Sequence, residues 1–116
     1  MPGCFSRQQR LLRPDQFKRV FKKSIRVNDA HFSILGQLNQ KDSARLGLAI
    51  AKKHIKKAVG RNRIKRLVRE SFRHHQELLA GVDIVVTCRS DASRLTNQVI
   101  HERLIQHWHN LVTKLK

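Results

Sequence analysis

The sequence predicts an α+β sandwich, a small sheet covered by helices, with the element order helix, strands, helix, strand, helix. Three observations carry this expectation. Apolar residues alternate with period two over residues 25–38 and 45–51. A long basic stretch that follows repeats its apolar residues with a helical period. Residues 83–88 (DIVVTC) then form a short, nearly continuous apolar run of the kind that makes a buried strand. A chain of 116 residues, 40% of them hydrophobic, suits a single domain over 1–116 with one modest core. Only 5% are aromatic, five Phe and one Trp, so that core must rest mainly on Leu, Ile and Val.

Residues 1–13 read as a basic N-terminal arm. Pro14 suits the first turn of a helix, where its missing N–H costs nothing, and Asp15 favours the positive end. Phe17, Val20 and Phe21 then share one helical face, with Lys18, Arg19, Lys22 and Lys23 around them. In the first extended stretch Phe32, Ile34 and Leu38 share one parity with Gly36, and Asn28 with Asp29 marks a turn or bulge. Residues 39–43 read as a polar hairpin loop. The run after it reads as a second antiparallel strand, in which Leu46, Leu48 and Ile50 alternate with Gly47, Ala49 and Ala51. Gly81 is the expected C-cap of the basic helix. Ser90 or Ser93 is expected to cap a last helix whose stripe is Leu95, Val99, Leu104, Trp108, Leu111, Val112 and Leu115.

Charge narrows the function. Twenty-five Lys and Arg against eight Asp and Glu leave a formal net charge of +17. Solubility alone needs only about 2–8 charges on a small domain. Such self-repulsion implies a polyanionic partner, either nucleic acid or an anionic membrane. No apolar run approaches the roughly 20 residues of a membrane span, and the first residues lack the apolar core of a signal peptide. Cys4 and Cys88 are too few and too isolated for a disulfide framework or a zinc site. They read as reduced thiols of a cytoplasmic protein that has no membrane partner.

The stretch 52–73, KKHIKKAVGRNRIKRLVRESFR, concentrates ten Lys or Arg with one acid, Glu70. On a helix Ile64, Leu67, Val68, Ser71 and Phe72 form one apolar stripe. Arg61, Lys65, Arg69 and Arg73 form a row at i+4 spacing beside it, with Asn62 and Arg66 on the same outer side. One acid cannot balance ten bases, so the row suits phosphates better than salt bridges along the helix. Asn62 adds a donor and an acceptor that can reach a base edge or a 2′-hydroxyl.

These residues resemble a known family. Arg61-Asn62-Arg63, then Ile64-Lys65-Arg66 and Arg69-Glu70-Ser71-Phe72-Arg73, look like the signature of the bacterial ribonuclease P protein. The flanks agree: Arg45-Leu46-Gly47-Leu48 and Lys52-Lys53 upstream, Asp83-Ile84-Val85-Val86 downstream, and Arg7, Arg10, Leu11, Phe17, Val20 and Phe21 near the start. The likeness covers roughly residues 5–112.

The resemblance implies a two-layer α-β sandwich, ribosomal protein S5 domain 2-like, with a left-handed βαβ crossover against the usual right-handed rule. It also implies the function of a ribonuclease P protein subunit, which assists a catalytic RNA as it removes the 5′ leader of precursor tRNA. Mg²⁺ would be bound mainly by the RNA and the substrate, and no protein partner is implied. Arg61, Asn62, Arg63, Lys65, Arg66 and Arg69 would lie at or near the catalytic RNA. Phe17, Phe21 and Lys53 would meet the leader, the two rings as stacking platforms. The chain has no Tyr, so His31 and Phe32 are candidates for any stacking position that family members fill with Tyr.

No catalytic residues are expected in the protein itself. Its acids (Asp15, Asp29, Asp42, Glu70, Glu77, Asp83, Asp91 and Glu102) form no metal-binding motif. His74, His75, His101, His107 and His109 read as scattered, and His101 and His109 lack the i,i+4 spacing of a helical metal pair. A basic ribosomal protein or RNA chaperone is the alternative reading. A helix-turn-helix DNA binder fits less well, because a strand precedes the basic helix.

Overall fold

The computed structural model describes residues 24–116. The N-terminal arm, Cys4 and the helix expected from Pro14, with Phe17 and Phe21, lie outside the described residues. The elements are β1 (Ile25–Asn28), β2 (Phe32–Leu38), β3 (Arg45–Ala49), α1 (Ala58–His74), β4 (Val82–Cys88), a 3-10 turn (Ala92–Arg94) and α2 (Asn97–Leu115). The sheet order is β1-β2-β4-β3. β1 with β2 and β2 with β4 are antiparallel, whereas β3 with β4 is parallel. β3, α1 and β4 therefore make a parallel crossover between neighbouring strands.

The expected hairpin after β2 is corrected here. Residues 39–43 do join β2 to β3, but β4 lies between those strands and pairs with both. The reason is visible in β4 itself: six of its seven residues are buried, so it needs neighbours on both edges and cover on both faces. β3 has the poorer claim to the centre, with Gly47 and Ala49 on one face.

Strand alternation sets the layers. Phe32, Ile34, Leu46, Val82, Ile84 and Val86 point to one side, where they meet Ile64, Val68 and Phe72 of α1 and Ile100, Leu104, Trp108 and Leu111 of α2. Leu38, expected on that face, is 45% exposed because it ends its strand. The opposite face carries a smaller cluster, Leu35 and Val85 with Ala49. Gly36 lets α2 approach β2: an added Cβ would stand 2.7 Å from Leu111 Cδ2. Gly36→Ala should therefore cost about 1–3 kcal/mol by overpacking, read as a lower denaturant midpoint at unchanged m-value.

Three element ends differ from expectation. The basic stretch becomes helical only at Ala58, because residues 52–54 form a turn closed by His54 N–H to Ala51 O at 3.1 Å. Gly81 does not cap α1. The helix stops at His74, a run of turns follows, and Gly81 at φ +81° delivers the chain into β4. The cap of α2 is Thr96, whose Oγ1 accepts from Val99 N–H at 3.3 Å. Ser93 sits in the 3-10 turn instead, which Asp91 caps. Leu95 precedes α2, and Ile100 joins its buried stripe.

His107 is also corrected, since it is buried rather than scattered on the surface. Its Nε2 lies 2.7 Å from Asp29 Oδ2. Asp29 Oδ1 accepts from His31 N–H at 2.6 Å and Phe32 N–H at 2.8 Å, which makes the β1–β2 turn. Burial pushes the Asp29 carboxyl up, but those two N–H groups and His107 outweigh it and hold it below the ordinary carboxylate range. A lowered folded pKa contributes stability above the unfolded value and loses it as pH falls through the folded one. Asp29→Asn should thus flatten the fall of melting temperature below about pH 4. Cys88 is a buried free thiol whose pKa burial pushes up to about 11, so it stays protonated at neutral pH. Among the described residues no helix is long and apolar enough to cross a membrane.

Candidate nucleic-acid interface

α1 carries six Lys or Arg and a single acid, Glu70. Its apolar stripe is buried as expected through Ile64, Val68, Ser71 and Phe72, with Leu67 half-buried beside them. On the far side Asn62, Arg66, Arg69 and Arg73 are exposed and Lys65 is half-buried. Among the described residues no ion pair engages any Lys or Arg of α1. The outward charge is therefore uncompensated.

Two of the arginines face elsewhere. Arg61 Nη1 donates to Ile55 O at 2.9 Å and to Lys56 O at 2.8 Å, so its guanidinium folds back on the loop before the helix. Arg63 reaches across to the segment before α2, where its guanidinium donates to Ser93 O, Leu95 O and Asn97 Oδ1. For Arg61 the helical period held a signal. Arg61 stands two turns before Val68 and three before Phe72, in the sector of the apolar stripe, whereas the i+4 row drifts off it toward solvent.

The start of α1 is open. Its N-cap, Lys57, makes no side-chain cap, and its first turn holds no acid. The free N–H groups there add positive potential to a region already cationic. Beside this end lies a cavity of about 610 Å³ whose lining includes Lys53, His54, Lys56, Lys57, Val59 and Arg94. Val59 is 80% exposed, which makes it an apolar wall in a basic site. Asp91 and Ser93 also line the cavity, and Asp91 is held low mainly by the Ser93 hydroxyl.

The structure thus groups Lys53 with the start of α1, and sets Asn62, Lys65, Arg66 and Arg69 on the helix's outward side. Phe17 and Phe21 lie outside the described residues. Phe32 is fully buried in the core and His31 is bonded to Arg103 at 2.7 Å, so Phe32 offers no ring for stacking. The sequence reading passed over Lys56, Lys57, Arg94 and Asn97. The two lysines sit in the quoted basic run, but Arg94 and Asn97 join only through the fold. Among the described residues no three His, Cys, Asp or Glu converge as metal ligands.

The Ribonuclease P family profile matches residues 5–112. The chain is 48% identical over 107 residues to the ribonuclease P protein component of Aliivibrio fischeri, covering 92% of each. It is 50% identical over 109 residues to that of Thioalkalivibrio sulfidiphilus, covering 94% of this chain and 91% of the relative. The fold is similar to the RNase P protein of Staphylococcus aureus, with TM-score 0.78, 32% identity and coverage of 88% and 93%. It is also similar to that of Thermotoga maritima, with TM-score 0.74, 32% identity and coverage of 90% and 96%.

Proposed function

The chain belongs to the ribonuclease P protein family, and from that premise we propose how its surfaces divide the work of a ribonuclease P protein subunit. The α1 surface, through Asn62, Lys65, Arg66 and Arg69 with Arg61 and Arg63 at its edges, docks on the catalytic RNA. Phe17, Phe21 and Lys53 meet the 5′ leader of precursor tRNA. The RNA performs the hydrolysis, with Mg²⁺ held mainly by the RNA and the substrate, and the work takes place in the cytoplasm. The observation that carries this reading is the uncompensated outer face of α1. Each cation that displaces a counterion from RNA adds about 0.7–0.9 to the salt slope of binding, and a helix face delivers several at once.

Replacing Lys65, Arg66 and Arg69 together by Ala should lower the slope of log K against log salt for the RNA subunit by about 2–3. Removing the exposed Lys41 and Lys114, which lie off this face, should change it by less than one contact's worth. Equal losses from both sets would mean that bulk charge does the binding. Protein freed of RNA should not cleave precursor tRNA at any Mg²⁺ concentration, while its addition to the RNA subunit should lower the Mg²⁺ needed for cleavage. Metal-dependent cutting by the RNA-free chain would sink the assignment of hydrolysis to the RNA.

A further inference from the structure

We infer that Arg63, the second arginine of the triplet, is a positioning residue: it acts on RNA through the loop it holds and makes no phosphate contact of its own. This deepens the proposed docking of α1 on the RNA subunit and rests on it. Arg63 Nε donates to Asn97 Oδ1 at 2.9 Å, and Nη2 donates to the same oxygen at 2.7 Å and to Leu95 O at 2.6 Å. Nη1 donates to Ser93 O at 2.9 Å. A guanidinium has five N–H groups in a rigid fork, and four of them are taken here. A forked phosphate contact uses two, so Arg63 would have to release part of this clamp to make one.

The clamp joins parts of the interface that are distant in the chain. Ser93 and Leu95 flank Arg94, and Asn97 is the first residue of α2. The same segment packs on the first turn of α1: a Cβ at Gly60 would stand 3.3 Å from Ser93 Cβ. Asp91 stiffens the turn by accepting from Ser93 N–H at 3.0 Å and from the Ser93 hydroxyl. Arg61 ties the carbonyls of Ile55 and Lys56 to the same end of α1. The two arginines thus moor two loops to one helix end, and those loops bring Lys53, Lys56, Lys57 and Arg94 around one cavity.

The test uses a neutral change. Asn97→Ala in the full chain removes the oxygen that accepts two of the four bonds and removes no cation. Affinity for the RNA subunit should fall at least about threefold with an unchanged salt slope. Asn97→Ser, which keeps a short side-chain oxygen and adds no charge, should restore part of it. Arg63→Lys should lose as much as Arg63→Ala, because one ammonium cannot span three acceptors, and the Arg63→Ala loss should shrink in the Asn97→Ala background. Melting curves of each variant confirm that it is folded at the assay temperature. The inference is overturned if Asn97→Ala binds like the parent, or if Arg63→Lys retains full binding while Arg63→Ala lowers the slope by about 0.7–0.9. A parent chain that does not bind the RNA subunit would instead overturn the docking of α1.

Discussion

Asp83→Ala should destabilise the protein by about 3–5 kcal/mol, enough to remove a large part of the stability of a small domain. Asp83 lies on β4 directly across from Arg45 on β3, and the two side chains are 2% and 10% exposed. Arg45 Nε donates to Asp83 Oδ1 at 2.7 Å and Nη2 to Oδ2 at 2.5 Å, a forked pair. Asn39 Nδ2 completes the site with 2.9 Å to Asp83 Oδ1 and 3.0 Å to Ser43 O. The carboxylate raises the pKa of Arg45 through that hydrogen bond, against the opposing effect of burial, so the guanidinium stays charged. Removing Asp83 leaves that charge buried without a partner, which is the source of the penalty. Replacing both residues by apolar ones of similar size should restore much of the loss, since the intact pair itself offsets a large desolvation cost. Urea unfolding of the single and double variants separates these cases. If Asp83→Ala loses under 1 kcal/mol, Arg45 has swung out to water and the pair holds little.

Trp108→Ala should cost a similar amount, about 3–5 kcal/mol. Trp108 is the one tryptophan of the chain, and it is fully buried where α2 crosses α1 above the sheet. Its Nε1 donates to Ser71 Oγ at 2.9 Å, which satisfies a hydroxyl that is only 1% exposed. Trp108→Phe keeps most of the volume but strands that hydroxyl, so it should cost about 1–3 kcal/mol. Adding Ser71→Ala to Trp108→Phe should then recover part of the loss, because both polar partners are gone. RNA binding by Trp108→Phe, measured well below its melting temperature, should match the parent, because Trp108 sits behind α1 and away from its charged face. A selective loss of RNA affinity in a folded Trp108→Phe protein would show that the tilt of α1 on α2 tunes the interface.

Much of the site was legible in the sequence. The +17 charge, the acid-poor stretch around Asn62 and the spacing of Ile64, Val68 and Phe72 are local, and a helix turns them into one buried and one cationic face whatever surrounds it. The same holds for the strands, where parity grouped Phe32 with Ile34 and set Leu46 in an alternating run, and the apolar run 83–88 read as a buried strand. Arg63 was less legible. Its partners lie 30–34 residues away, and a charge in a basic run looks alike whether it meets a phosphate or a carbonyl.

By itself, then, the sequence determined the apolar stripe of the basic helix, the cationic face beside it, and a net charge that calls for a polyanionic partner. These follow from periodicity and composition, which act within a few residues. Only the tertiary structure decided that β4 enters between β2 and β3, because both faces and both edges of that apolar strand must be covered at once. Only it decided that His107 leaves the surface to meet Asp29, 78 residues earlier in the chain. It also divided one arginine-rich motif, leaving Asn62, Arg66 and Arg69 exposed and turning Arg61 and Arg63 to backbone carbonyls. The physical reason is shared: buried polar groups must find partners, and those partners come from whatever part of the chain the fold brings near.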